Sequence, residues 1–128
     1  ACAVAFDAAS GRFTVHSPVQ GINMMRMQLA AYTGVADDKI EVVARDVGGG
    51  FGQRSIAYPE YVALMLGAKT LGRPVKWVSS RSEGFLSDSH GRANYIDGEL
   101  ALDKDGTFLG MRIDWIADLG AYLHPAGP

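Results

Sequence analysis

Between Asp46 and Ser55 the chain reads DVGGGFGQRS, and four of the five residues from 48 to 52 are glycine. Glycine gives up the most backbone freedom on ordering and offers no side chain to pack, so this run belongs to neither a helix interior nor a strand. It therefore divides its surroundings. Before it, DDKIEVVARDV carries Ile40, Val42 and Val43, residues that suit a strand. After it, Tyr61, Leu64, Met65, Ala68 and Leu71 recur at the spacing of one helix face. Pro59 suits the first turn of that helix and Gly72 its exit. The expectation is strand, loop, helix.

The remaining segments extend this pattern. AVAFDAASGRFTVHSP alternates on either side of a small-residue turn and predicts a hairpin that Pro18 closes. INMMRMQLAAY, Ile22 to Tyr32, predicts a helix ending at Gly34, with Met24, Met25, Met27 and Leu29 as its core face. RPVKWVSSR predicts a strand through Val75 and Trp77, and SEGFLSD a helical turn capped by Ser82. From Asn94 onward, NYIDGELALD, a turn at KDG and TFLGMRIDWIADLGAYL predict a second hairpin. The fold class is α+β: mixed hairpins and two main helices, read as one unit over residues 1–128. Ala1 lies within strand-like sequence and the chain closes on HPAGP, so both ends are expected to continue into a longer protein.

Composition narrows the function. A chain of 128 residues with 48% hydrophobic and 20% charged residues can bury a core. A net charge of −2 and a pI near 5.9 give no electrostatic case for nucleic acid or an anionic membrane. No apolar run is long enough for a membrane span, and no targeting signal stands in the sequence. Cys2 is the single cysteine, so a disulfide framework is excluded and the thiol reads as incidental. His16, His90 and His124 lack paired zinc-ligand spacing. Glu60, Glu83 and Glu99 read as surface or hairpin acids, and Arg92 as a structural residue.

The glycine run itself admits three readings. A dinucleotide fingerprint starting at Gly48 needs glycine at 53, where Gln53 stands; starting at Gly50 it needs glycine at 55, where Ser55 stands. A nucleotide P-loop fails as well, because Gln53-Arg54-Ser55 replaces its lysine step. A plain flexible turn would not place Phe51 at its centre. The third reading is a backbone that approaches a bulky ligand closely, with N–H donors and an aromatic wall.

DVGGGFGQR, the apolar helix after it, LGRPVKWVSSRSE and LDKDGTFLGMRIDWIADLGAY together resemble the large subunit of the xanthine dehydrogenase and aldehyde oxidase family, most of all its carbon monoxide dehydrogenase-type branch. The resemblance runs along the whole chain and would correspond to an internal part of a much longer subunit. It implies a place in a larger molybdopterin-binding domain. The implied activity of the parent is oxidative hydroxylation of an aldehyde, an N-heterocycle or CO with water as oxygen source. The implied cofactor is molybdenum–pterin, in its plain or cytosine dinucleotide form. Iron–sulfur clusters and FAD are expected on partner subunits or domains, and the parent is expected in the cytoplasm. The alternative is a non-catalytic binding or structural module that keeps the fold without the cofactor.

Residue by residue, the family's glycine–phenylalanine segment falls on Gly49, Gly50, Phe51 and Gly52, which implies that they line the molybdenum–pterin group. The family's glutamine upstream, whose amide faces an oxygen of that group, falls on Gln20 in SPVQGINMM. Alone, Gln20 would read as a helix-start residue bonding nearby backbone. Arg54 is expected to face a pterin phosphate or to pair with a core acid. Purine-oxidising relatives carry Gly-Lys-Glu after the loop, and Gln53-Arg54-Ser55 has no carboxylate, which argues against a xanthine-type substrate. The family's general base and substrate loop lie further along the subunit, so this segment alone is expected to be inactive.

Overall fold

The computed structural model describes residues 1–88 and 91–120. His90, His124 and the end of the final strand-like run (121–128) lie outside the described residues. Contacts group the chain into two compact units, Ala1–Ser87 and Asp88–Pro128.

The first unit is a four-stranded sheet carrying two helices. Strands β1 (Cys2–Asp7) and β2 (Arg12–His16) form the expected hairpin, paired antiparallel with Val4 opposite Val15 and Phe6 opposite Phe13. Asp7 nucleates the turn by accepting the Ala9 N–H at 3.1 Å and the Ser10 hydroxyl. Helix α1 (Ile22–Thr33) then carries the chain to a single 3₁₀ turn at Asp37–Lys39 and to β3 (Ile40–Val43), which lies parallel to β2. Helix α2 (Pro59–Leu71) follows the glycine loop, and β4 (Val75–Trp77) returns to pair antiparallel with β1. The strand order is β3-β2-β1-β4.

One face of this sheet forms the core with the helices. Strand pairing puts Cys2, Val4, Phe13, Val15 and Ile40 on the same side, and all five are buried. Met25 and Leu29 of α1 and Tyr61, Leu64, Met65 and Ala68 of α2 complete the cluster. Fully burying one such side chain contributes about 1.5–3 kcal/mol. Two assignments from the helical pattern are corrected: Met24 and Met27 are 55% and 61% exposed, and Leu71 is 56% exposed. Met25 and Leu29 stand four residues apart and share one face, whereas Met24 and Met27 lie to its sides. Leu71 is the last residue of its helix.

Both helices end as the sequence indicates. Gly34 and Gly72 adopt left-handed φ values of 70° and 61°. Tyr58 is extended, as the residue before Pro59 must be. The short helix α3 (Arg81–Ser87) begins earlier than expected, and its cap is Ser80 in place of Ser82. Ser80 Oγ accepts the Glu83 N–H at 3.2 Å while the Ser80 N–H donates to the Glu83 carboxylate at 2.6 Å. That second bond holds the Glu83 carboxyl below its usual pKa. The reciprocal pair needs Ser and Glu three apart, which only Ser80 satisfies.

The second unit is one hairpin, β5 (Asn94–Leu102) with β6 (Phe108–Ala117). Its turn is built on Asp103, whose Oδ1 accepts N–H bonds from Asp105 and Thr107, each at 2.8 Å. One face carries Ile96, Leu100, Met111, Ile113 and Trp115; the other pairs Glu99 with Arg112 at 3.2 Å. The α+β class holds throughout. Among the described residues no helix is long and apolar enough to cross a membrane.

Candidate functional site

The glycine loop leaves β3 and stays irregular until Pro59 starts α2. Its backbone is unusual at four of five positions: Gly48, Gly49, Phe51 and Gly52 have φ of 66°, 99°, 51° and 87°. Only glycine takes such angles without strain, so Phe51 is held in a conformation that bulky residues avoid. Its ring is 91% exposed and folds back over Gly49, where a β-carbon would lie 2.6 Å from Cε2. Gly48 and Gly52 face open space. Among the described residues, no acceptor takes the amide N–H groups of Gly49, Gly50, Phe51 and Gly52.

Gly50 has the opposite problem. It is buried, and a β-carbon there would overlap the carboxamide of Gln20. The Gln20 side chain therefore lies directly across the loop backbone, bringing together two segments thirty positions apart in sequence. Further bonds hold it there. The Gln20 N–H donates to the Arg54 carbonyl at 2.9 Å, and Ser55 Oγ donates to Gln20 Oε1 at 3.1 Å. Arg54 uses its own Nη1 to donate to the Val47 carbonyl, closing the loop from 47 to 54. This third partner is one the sequence did not suggest for Arg54.

Helix α1 and the start of α2 brace the far side. Gln28 Oε1 accepts the Ala57 N–H at 2.7 Å, and the Tyr58 hydroxyl donates to the Gln53 carbonyl at 2.7 Å. Below them, the Ser17 hydroxyl donates to the Tyr61 hydroxyl at 3.0 Å inside the core. Burial raises the Tyr61 phenol above its ordinary pKa and pushes the Cys2 thiol up to about 12. A thiol so placed is no nucleophile at neutral pH.

The structure thus brings Gln20, Gly49, Gly50, Phe51, Gly52 and Arg54 together. It also adds Ser55 and Gln28, which sequence reasoning missed. Ser55 was noticed only for the carboxylate it lacks; its hydroxyl turns out to be the partner of Gln20. Gln28 sits among the apolar residues of α1, and nothing in its spacing marks it as a loop brace. The candidate acids lie elsewhere. Glu83 caps α3 and Glu99 pairs across the hairpin. Glu60 stands in the first turn of α2, half-buried, not on the surface as expected.

Among the described residues, a row of N–H groups without an acceptor, an exposed aromatic ring and a clamped carboxamide meet on one loop of the α+β unit. Comparison with known proteins makes the class specific. Residues 1–128 match the family model described as molybdopterin cofactor-binding domain. The carbon monoxide dehydrogenase large chain of Hydrogenophaga pseudoflava is 37% identical over 127 residues, 99% of this chain and 16% of the relative. Two solved structures superpose closely. Quinoline 2-oxidoreductase from Pseudomonas putida 86 gives a TM-score of 0.85 at 32% identity, covering 91% of this chain and 15% of that one. Reconstituted CO dehydrogenase from Oligotropha carboxidovorans gives 0.81 at 36%, covering 89% and 14%. The chain belongs to the molybdopterin cofactor-binding domain family, in the lineage of the xanthine dehydrogenase and carbon monoxide dehydrogenase large subunits. It spans about a sixth of the length of the large chains it matches.

Proposed function

We propose that residues 1–128 form one wall of a molybdenum–pterin site in a larger molybdenum-dependent oxidoreductase. A single observation carries this reading: four loop N–H groups that find no acceptor among the described residues stand beside the exposed Phe51 ring, with Gln20 laid across Gly50. The residues fit the group. Backbone donors suit its oxygen and sulfur atoms, the missing side chains at Gly48 and Gly52 leave room, and a neutral carboxamide donates without adding charge. When bound, the cofactor would supply two-electron oxidation of a carbon centre with water as oxygen source.

This chain's own residues then have separate tasks. Gln20 would donate from Nε2 to an oxygen of the group, and Gly49 to Gly52 would hold it through the backbone. Phe51 would exclude water and shape the substrate slot. Arg54 would keep the loop closed and turn its remaining N–H groups toward the pterin side. Relatives named for CO, nicotine and quinoline and a solved aldehyde oxidoreductase support an aldehyde, N-heterocycle or CO substrate, and Ser55 in place of a carboxylate speaks against a purine. The cytosine dinucleotide form of the cofactor and partner subunits with iron–sulfur clusters and FAD belong to the same reading. So does inactivity of the isolated segment, which would provide only this wall.

The test is elemental and pterin analysis of the full-length protein, produced in a host that makes the cofactor. About one molybdenum and one pterin per polypeptide are expected. Absence of both from properly matured protein would leave the non-catalytic module as the reading. In the loaded enzyme, Gln20→Ala should lower activity or metal retention by about 10–100-fold, the usual range for a residue that orients a metal site's ligands.

A further inference from the structure

The two faces of the β5–β6 hairpin differ in chemistry. Side chains alternate across it, so Ile96 with Trp115 and Leu100 with Met111 share one face with Ile113, and each of the five is at least half exposed. An apolar face of this kind gains by leaving water. It is also ready to leave, because the Trp115 Nε1–H already donates to Asn94 Oδ1 at 3.0 Å, and burying the ring would strand no donor. The opposite face suits water. Asp97 stands directly across from Asp114, a like-charge pair that solvent screens, while Arg112 reaches Glu99 at 3.2 Å and Asp114 at 3.9 Å. Tyr95 opposite Ile116 is the one large apolar pair on that side.

We propose that a segment of the same polypeptide outside residues 1–128, apolar on the side it presents, packs across Ile96, Leu100, Met111, Ile113 and Trp115, while the Asp97–Asp114 face stays in water. The proposal rests on one part of the reading above, that the chain belongs to a longer large subunit, and not on the cofactor. Chain length allows it: the matched residues make up only 16% of the carbon monoxide dehydrogenase large chain. A two-stranded hairpin is marginal alone and needs further strands or a packed face. The composition of the face selects the occupant. Contacts between separately folded chains mix polar with apolar groups, whereas this face carries no charged side chain, as the core-facing side of an antiparallel sheet does not. A segment already on the same chain also avoids the rigid-body entropy that a second molecule would lose.

The experiment uses the full-length protein. Trp115→p-benzoylphenylalanine and Asp97→p-benzoylphenylalanine place the same photoreactive ring on opposite faces, and cross-linked peptides are mapped by mass spectrometry after illumination. The Trp115 variant should cross-link within one polypeptide to a peptide outside residues 1–128, at no less than tenfold the yield of the Asp97 variant. Oxidative footprinting of the unsubstituted protein gives a second readout that needs no variant to fold. There Met111 and Trp115 should be oxidised at least fivefold more slowly than in the urea-unfolded protein. Cross-links from Trp115 to residues 1–87, to a second copy or to a partner subunit would overturn the proposal, as would a smaller ratio of yields or weaker protection. Molybdenum measured on the same protein keeps the two readings apart. Bound metal with any of those outcomes leaves the cradle standing, and the expected cross-link without metal leaves the docking of the hairpin standing.

Discussion

At Gly48 and Gly50 the chain needs glycine for two different reasons. At Gly48 the reason is conformational, because φ is 66° and the space around the residue is open. At Gly50 the reason is room, because the Gln20 carboxamide occupies the place a β-carbon would take. The difference has a measurable consequence. Gly50→Ala collides with the end of a flexible side chain, so Gln20 can swing away and the fold should lose no more than about 1 kcal/mol. Metal retention by the full-length protein should nevertheless fall as far as in Gln20→Ala. Denaturant unfolding and molybdenum analysis on the same preparation check both halves. The sequence showed the glycines and the phenylalanine and, by resemblance, pointed to Gln20. It could not show that Ser55 bonds the Gln20 amide or that Arg54 closes the loop on Val47. Those bonds join residues whose types fit many surface roles, and only the folded path of the loop selects among them.

Among the elements, α1 shows how far periodicity can be trusted. Four apolar residues within six positions made the helix plain, but three methionines left its buried face ambiguous. Burial resolves it, with Met25 at 1% and Leu29 at 0% exposure. Leu29→Ala should therefore destabilise this chain by about 2–5 kcal/mol, the range for a buried leucine. Met27→Ala should stay within about 0.5 kcal/mol, as exposed positions do. Equilibrium urea unfolding of the two variants separates them. Similar losses would mean that α1 is rotated from the face described. The hairpins, the strand–loop–helix order and both helix exits were legible because turn residues and glycines mark them locally. The cap of α3 was expected at Ser82 and falls at Ser80, because only Ser80 stands three residues before Glu83.

The whole molecule divides its apolar surface unevenly. The first unit encloses its core, whereas the hairpin of the second leaves Ile96, Met111, Ile113 and Trp115 at 53–70% exposure on one face. A contiguous face of that kind is uncommon on a free-standing protein. The isolated chain should therefore bind a hydrophobic-surface dye, and the double change Met111→Lys with Ile113→Lys should reduce that fluorescence at least twofold. No change would place the dye elsewhere. The sequence could not reveal this exposure, because alternation predicts which residues share a face and not whether anything covers it.

The pairing of β4 with β1 carries a last consequence, for the order of assembly. The β1–β2 hairpin closes over a short turn and can form within microseconds. Cys2 meets Trp77 only after the chain has returned across both helices and the glycine loop. Contacts so distant in sequence give up more chain entropy before any packing compensates, and they form late. The loop lies inside that span, so the sheet's last strand completes the frame that carries it. A slow step at β4 would hold back the whole cradle, however perfect the loop itself.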